Sequence, residues 1–230
     1  MSNRFGQYAY IDLPLTATET QRVLRNTYWL LALSMIPTVL GAWIGIATGI
    51  TYALSSSLGT FLFLIGGIGG VYAIEKSKDS IAGVYVLLGF TFYMGLMLSR
   101  IIAMVLGFQN GAELVMIAFG GTAGVFFLMA ALSSVIKQDL SGMGKWLMVG
   151  AIVLMFGSLI NLFVASTAGV LVLSVLSIGI FSIFMLFDLN QIIEGGETNY
   201  VSATLRIYLD IINVFQSLLE LLGILDGESD

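Results

Sequence analysis

The chain has no cysteine and no histidine among its 230 residues. It can therefore form neither disulfides nor thiolate nucleophiles, and zinc sites of the His/Cys kind and Ser-His catalytic triads are excluded. Any response to pH near neutrality must depend on carboxyl groups, because no imidazole is available. These absences rule out much enzyme chemistry and direct the search to buried aspartate and glutamate.

Charged residues are also scarce, at 10% of the chain, whereas 58% of the residues are hydrophobic and the mean hydropathy is +0.98. This composition leaves too little polar surface for a water-soluble globule. The apolar stretches are about 20 residues long, which is the length a helix needs to cross hydrocarbon and longer than a barrel strand. We therefore predict an all-α integral membrane protein that is embedded in the lipid bilayer and binds no nucleic acid.

Seven stretches have the length and composition of transmembrane helices. They are Tyr28–Thr48, Ser57–Ile74, Ile81–Leu98, Leu114–Val135, Trp146–Val164, Val170–Ile193 and Leu205–Leu225. Residues 1–27 are mostly polar and lack the pattern of a cleaved leader, so we expect a retained N-terminal arm. The sequence thus predicts this arm, a seven-helix transmembrane domain over residues 28–225, and a short acidic tail over residues 226–230.

Basic residues are distributed asymmetrically between the predicted loops. Arg4, Arg22, Arg25, Lys76, Lys78, Lys137, Lys145 and Arg206 fall on one side of the membrane, and only Arg100 falls on the other. The positive-inside rule then places the N-terminal arm in the cytoplasm and the acidic tail outside.

Glycine is abundant, with 27 residues. Three pairs have the four-residue spacing at which helix backbones approach each other closely in lipid. The pairs are Gly41 with Gly45, Gly66 with Gly70, and Gly120 with Gly124. We expect them to pack helices within one compact bundle, so that the protein is a monomer or a weak oligomer.

The last predicted span carries polar residues on one face. Asp210, Asn213, Ser217 and Glu220 follow one another at intervals of three and four residues, whereas leucine and isoleucine fill the other face. A polar stripe on a membrane helix should face the protein interior or a water-filled path. We therefore expect this face to turn away from lipid, with Asn213, Ser217 and Glu220 as candidates to line the outer part of a path.

A second aspartate, Asp188, lies five residues before the end of the sixth span, and Asp210 lies five residues after the start of the seventh. At about 1.5 Å per residue, both lie roughly 7 to 8 Å below the same membrane boundary, so they can meet in an antiparallel hairpin. Two carboxyl groups in a partly dry site would share a proton and act as a pH sensor. In the alternative interpretation, Lys76, Lys78 or backbone groups satisfy each aspartate separately.

Oxygen ligands surround this predicted site. The carboxylates of Asp188 and Asp210 and the amides of Asn190 and Asn213 supply the hard oxygens that calcium prefers, although fewer than the six to eight of a tight site. We therefore predict at most a weak calcium site at the two aspartates. No other cofactor is expected.

Two segments resemble the Bax inhibitor-1 family, also called the transmembrane Bax inhibitor motif family. They are Phe187-Asp188-Leu189-Asn190-Gln191-Ile192 and Tyr208-Leu209-Asp210-Ile211-Ile212-Asn213. The resemblance covers essentially all spans in order. It implies six helices around a central seventh and, in the bacterial branch, a pH-sensing aspartate pair that gates a calcium leak and aligns with Asp188 and Asp210.

Three other segments resemble a narrower, proteobacterial branch of that family. They are Val23-Leu24-Arg25-Asn26-Thr27-Tyr28, Gly120-Gly121-Thr122-Ala123 and Gly195-Gly196-Glu197-Thr198-Asn199-Tyr200. This resemblance implies a protein of the bacterial inner membrane that binds and restrains a membrane-anchored AAA protease. The expected partner surface is the N-terminal arm with the loop of Glu194, Gly195, Gly196, Glu197, Thr198 and Asn199.

Three functional hypotheses follow. The leading one is a pH-sensitive calcium or cation leak channel, with Asp188 and Asp210 as its gate and Asn190, Asn213, Ser217, Glu220, Lys76 and Lys78 as path or gate partners. The second is a regulatory partner of a membrane-anchored AAA protease. The third, an intramembrane aspartyl protease, is disfavoured because Tyr208-Leu209 before Asp210 lacks the glycines that let a substrate backbone approach. We therefore do not predict an enzyme.

Overall fold

The computed structural model of the protein describes residues 17–50, 57–136, 138 and 140–227. Within these residues there are seven α-helices and no strand. The helices are α1 (Ala17–Thr48), α2 (Ser57–Ser77), α3 (Ile81–Leu106), α4 (Gly111–Val135), α5 (Gly144–Val164), α6 (Thr167–Ile193) and α7 (Tyr200–Gly227), with a short 3-10 helix (Ser141–Met143) between α4 and α5. The predicted all-α class and the seven predicted helices are confirmed.

Six of these helices are long and apolar enough to cross a membrane when the described residues are considered, namely α1 and α3 to α7. Their apolar side chains face outward to an extent that water would not tolerate but lipid does. Leucine, isoleucine, valine and phenylalanine fill these helices, and backbone hydrogen bonds are satisfied within each helix, as a lipid environment requires. The protein is therefore a multi-pass membrane protein.

The helices are longer than the predicted spans at several ends. α1 begins at Ala17 and not at Tyr28, so residues 17–27 of the predicted arm continue the first membrane helix. α7 begins at Tyr200 and not at Leu205, and α3 continues to Leu106. A hydropathy window finds only the part of a helix that suits lipid, whereas polar residues can extend the same helix into water. Residues 1–16 of the arm and residues 228–230 of the tail lie outside the described residues.

The last helix is at the centre of the bundle. About half of the membrane-spanning part of α7 is buried, compared with a third or less in the other candidate spans. Within the described part of the chain, α7 contacts α1, α2, α3, α4 and α6, whereas α5 packs mainly on α6 at the periphery. The predicted central position of the seventh helix is confirmed: in the described part of the chain five helices pack against α7, and α5 lies in an outer layer.

Two of the three predicted glycine pairs pack helices together. A methyl group added at Gly41 would overlap the backbone of Phe92, and one added at Gly45 would overlap Ser99, so α1 and α3 are in close contact there. Gly66 and Gly70 are likewise covered by the rings of Tyr93 and Phe90 on α3. The prediction was wrong for Gly120 and Gly124, because both are exposed and nothing lies within 4 Å of an added methyl group.

The loops are sorted between the two ends of the bundle. At one end, Asn199 Nδ2 donates to the carbonyl oxygen of Lys78 at 3.2 Å and to Asp79 Oδ1 at 2.9 Å, which joins the α6–α7 loop to the α2–α3 loop. At the other end, Asn110 Nδ2 donates to Asp226 Oδ1 at 2.7 Å. The first end carries Lys76, Lys78, Arg206 and other cations, and we call it the basic end.

Three exposed aromatic side chains of α1, α2 and α3 lie near the basic end and form what we call the aromatic belt. They are Trp29 on α1, Tyr72 on α2 and Tyr85 on α3, with exposed fractions of 73%, 66% and 70%. Trp29 lies beside Val84 and Tyr200, at the beginning of α3 and α7. Tryptophan and tyrosine prefer the membrane–water interface, so the belt indicates where the interface lies. The first turns of α1 extend beyond this level into water.

Candidate functional site

The two predicted aspartates meet between α6 and α7 near the basic end. Their carboxyl groups are close enough to share a hydrogen bond. Asp188 is 7% exposed and Asp210 is 4% exposed, so both are removed from water. A carboxylate can only accept hydrogen bonds, so a hydrogen bond between the two groups needs a proton on one of them. Asp210 Oδ2 is buried and receives no hydrogen bond from an N–H or hydroxyl of the described residues.

The predicted polar stripe on α7 faces α6 and forms a polar seam between these two helices. Toward the end opposite the basic end, Ser217 Oγ lies 2.8 Å from Ser177 Oγ, and Ser174 Oγ donates to Glu220 Oε2 at 3.0 Å. Together with the aspartate contact, these bonds extend along most of the α6–α7 interface. Because the polar atoms bond directly to each other, the seam is closed in this structure.

Arg206 is the cation that acts on the aspartate pair, although its role was missed in the sequence. Its guanidinium group is close enough to interact electrostatically with both Asp188 and Asp210. Arg206 Nη2 also forms an ion pair with Glu197 Oε2 at 3.2 Å, and this pair lies above the aspartates toward water. The signal was present in the sequence, because Arg206 precedes Asp210 by four residues and so shares its helix face.

The two lysines that were predicted as gate partners do not contact the aspartates. Lys78 Nζ lies 2.9 Å from Glu75 Oε2 in a partly exposed ion pair. This hydrogen bond raises the pKa of Lys78 above its ordinary value. Lys76 is exposed at the end of α2. A lysine at the end of a membrane helix can keep its ammonium group in water, whereas entry into the bundle would remove that water.

The two predicted asparagines have structural partners. Asn213 Nδ2 donates to the carbonyl oxygen of Leu209 on its own helix at 2.8 Å. Asn190 is fully buried, and its Nδ2 lies 3.4 Å from the carbonyl oxygen of Ile136 at the end of α4. Its Oδ1 is buried without a hydrogen-bond partner among the described residues. Asn190 thus ties α6 to the end of α4, and one acceptor remains available there.

The described residues do not assemble a tight metal site at the aspartate pair. Among the described residues, no group of three or more carboxylate, histidine or cysteine side chains is placed to hold a metal ion. The aspartate pair supplies two carboxyl groups, and the charge of Arg206 opposes a cation there. Calcium usually takes six to eight oxygens, which is more than these two carboxyl groups supply.

The loop that was predicted to bind a partner is only partly available. Glu194, Gly196 and Thr198 are exposed. By contrast, Glu197 bonds to Arg206, and Asn199 caps α7 by accepting from the backbone N–H groups of residues 201 and 202. Glycine is required in this turn, because Gly195 has a φ of 79°. A partner would therefore contact the exposed half of the loop.

A further buried polar contact on α7 was not predicted. The hydroxyl of Tyr208, which is fully buried, lies 2.8 Å from Thr38 Oγ1 on α1 and 3.3 Å from the carbonyl oxygen of Thr91 on α3. Buried tyrosines usually find such a partner. Both partners of the Tyr208 hydroxyl are neutral groups, so we assign this side chain a role in helix packing. The sequence offers no spacing signal that pairs Tyr208 with a threonine 170 residues earlier.

Comparison with known proteins gives matches over nearly the whole chain. The family model Inhibitor of apoptosis-promoting Bax1 matches residues 20–227. An uncharacterized membrane protein of Vibrio cholerae is 36% identical over 210 residues, which cover 91% of this chain and 92% of the relative. The protein named Modulator of FtsH protease YccA from Escherichia coli K12 is 36% identical over 204 residues, which cover 89% and 90%. An uncharacterized protein of Neisseria meningitidis is 34% identical over 225 residues, which cover 96% and 99%.

Proposed function

The chain belongs to the Bax inhibitor-1 family, and on that premise we propose that it is a pH-sensitive cation leak channel whose transported ion is calcium. The contact between Asp188 and Asp210 carries the proposal. Two buried carboxyl groups that share one proton change their net charge when the proton leaves. That change of charge occurs between α6 and α7, inside the bundle. The contact between these two helices therefore depends on whether the proton is present.

The polar seam supports the path that this proposal needs. Ser174, Ser177, Ser217 and Glu220 continue from the aspartate pair toward the opposite end of the bundle. Separation of α6 and α7 would replace their mutual hydrogen bonds by water or by a hydrated cation. The present structure, in which these bonds are made, would then be the closed form of the channel.

We also propose an orientation and a location. Arg22, Arg25, Lys76, Lys78, Lys145 and Arg206 belong to the basic end or to the elements that begin there, and the positive-inside rule assigns this end to the cytoplasm. Another relative, from Escherichia coli O6:H1, bears the name Inner membrane protein YccA. These observations support a multi-pass protein of the inner membrane, with its N-terminus inside and its acidic C-terminus outside.

A second candidate function is modulation of a membrane-anchored AAA protease. The observation that favours it is the 36% identity to the Escherichia coli protein whose name gives it this role. The exposed side chains of Glu194 and Thr198 at the basic end offer a surface that a cytoplasmic protease can reach. This function requires binding and not ion passage, so it does not depend on the aspartate contact, and it needs no catalytic residue in this chain.

One experiment with matched variants separates the two candidates. Calcium entry into proteoliposomes is measured between about pH 5 and about pH 8 for the unmodified protein, Asp188→Asn and Asp210→Asn. We expect flux that follows a single coupled titration in the unmodified protein and is independent of pH in both variants. Glu113→Gln is the control, because Glu113 is an exposed carboxylate in the first turn of α4 and should leave the titration unchanged.

The same membranes serve for co-purification with the AAA protease. Protease modulation predicts association that survives Asp188→Asn and is weakened by Glu194→Ala combined with Thr198→Ala. Absence of calcium flux at every pH would exclude the leak channel, and absence of association would exclude the second function.

A further inference from the structure

Two shallow grooves lie on either side of Trp29 at the level of the aromatic belt. One, of about 380 Å³, is lined by Gln21, Leu24, Arg25, Tyr28 and Trp29. The other, of about 400 Å³, is lined by Asn26, Trp29, Leu30, Leu33, Val84 and Tyr200. Trp29 is 73% exposed and forms the ridge between the two grooves. Both grooves are wide open at the surface of the bundle.

The chemistry of the grooves changes along the membrane normal. Leu30, Leu33 and Val84 form the apolar floor on the side that faces the bilayer core. Arg25 lies one helical turn from Trp29 in the direction of water, which is about 6 Å along α1. Arg22 is also exposed on α1, one further turn away. Along α1 the exposed cations therefore lie on the side of Trp29 toward the basic end, and the apolar residue Leu33 lies on the side toward the middle of the bundle.

Nearby side chains favour a negatively charged occupant. No carboxylate lines either groove among the described residues, and Gln21, Asn26 and Tyr200 supply neutral polar groups at the rim. The ring of Tyr28 packs edge-on against Phe126 of α4 with ring centroids 6.1 Å apart, so one wall of the site is held in place. Arginine forms charge-assisted hydrogen bonds to phosphate in such a setting.

We propose that these grooves bind one anionic phospholipid of the phosphatidylglycerol class, with its acyl chains on either side of Trp29 and its phosphate on Arg25. The site differs from the aspartate pair in position and in chemistry. It would fix the lipid next to α1, α3 and the first residue of α7, at the end of the bundle where the aspartate pair and the α6–α7 loop lie. The inference does not depend on which of the two proposed functions is correct.

Fluorescence quenching by brominated lipids tests the site directly. The reporter is Trp29 in a variant with Trp43→Phe and Trp146→Phe, reconstituted in vesicles that contain brominated phosphatidylglycerol or brominated phosphatidylcholine. We expect the relative binding constant at Trp29 to favour phosphatidylglycerol about fivefold, which is the contribution of one cation near a membrane surface. In Arg25→Gln the two binding constants should be about equal, so that no preference remains. Arg25→Lys should retain most of the preference.

Two controls separate this site from general attraction to the bilayer. Arg100→Gln removes an exposed arginine near the other end of the bundle and should leave the preference at Trp29 unchanged. A second reporter, Trp43 in a Trp29→Phe and Trp146→Phe background, should show no preference, because Trp43 lies farther along α1. Circular dichroism of each variant verifies that it is folded.

Three results would overturn the proposal. The first is equal quenching of Trp29 by the two lipids, and the second is a preference that persists in Arg25→Gln. The third is loss of the preference when inorganic phosphate is added in excess, because that would indicate a site for free anions and not for a lipid. Unchanged quenching in the presence of phosphate supports the lipid site.

Discussion

At the scale of single residues, α7 combines two kinds of buried polar contact. Tyr208 bonds to neutral groups of α1 and α3, whereas Asp210 meets another carboxyl group of α6. The first contact joins groups that stay neutral at physiological pH, whereas the second joins two carboxyl groups, each of which can ionise. The two contacts lie on different faces of α7, so the helix is held firmly on one side and through a titratable contact on the other.

Tyr208→Phe tests the contact of α7 with α1 and α3. Removal of the hydroxyl leaves Thr38 bonded only to the carbonyl oxygen of Ser34, so we expect a loss of about 1 kcal/mol in the free energy of unfolding. The loss is measured as a lower thermal midpoint in detergent. Tyr85→Phe is the matched control, because that side chain is 70% exposed and should change the midpoint little. Equal midpoints for Tyr208→Phe and the unmodified protein would contradict the packing role of this hydroxyl.

At the scale of helices, the α1–α3 interface is the closest contact in the bundle. Gly41 on α1 and Gly95 on α3 both face backbone atoms of the other helix, where an added methyl group would overlap them. In lipid the hydrophobic effect does not hold helices together, so close van der Waals contact between backbones takes its place. The sequence spacing identified Gly41 as one of these residues, but Gly95 is not part of any predicted pair.

Gly95→Leu should separate these two helices. The new side chain would overlap the backbone of Thr38 and Ala42, which cannot move aside as a side chain can, and we expect destabilisation of at least about 1 to 3 kcal/mol. Gly120→Leu is the control, because Gly120 is exposed on α4 and should stay within about 0.5 kcal/mol of the unmodified protein. Both effects are read from thermal unfolding in the same detergent. Similar losses for the two variants would show that the α1–α3 contact has no special role.

At the scale of the whole molecule, the sorting of charge and aromatic residues sets how the bundle sits in the membrane. The basic end holds the α2–α3 and α6–α7 loops together through Asn199, and the aromatic belt lies just below it. The aspartate pair is buried near the same end. In the proposed orientation the pair lies nearest to the cytoplasm, at the same end of the bundle as the Arg206–Glu197 ion pair.

The absence of cysteine makes the orientation simple to measure. A single cysteine is introduced at an exposed loop position of each end, Glu194→Cys at the basic end and Gln109→Cys at the other. We expect a membrane-impermeant maleimide to label Gln109→Cys in intact cells with a permeable outer membrane, and to label Glu194→Cys only after the inner membrane is opened. The reverse pattern would contradict the proposed orientation.

The sequence by itself determined the all-α membrane class, the seven helices and most of their ends, because the length and composition of an apolar run depend on lipid thickness and not on neighbouring helices. It also determined the polar face of α7, which follows from the helical period alone. The meeting of Asp188 and Asp210 was predicted from their equal depth in an antiparallel hairpin.

Only the tertiary structure decided which groups complete the site. Arg206 acts on the aspartates instead of Lys76 or Lys78, and the serines of α6 pair with the stripe of α7, because helix rotation and side-chain reach set these contacts. Packing also turned Gly120 and Gly124 outward, although their spacing equals that of Gly41 and Gly45. Local sequence determines which face of a helix is polar or small. Which neighbouring helix covers that face depends on the packing of all seven helices.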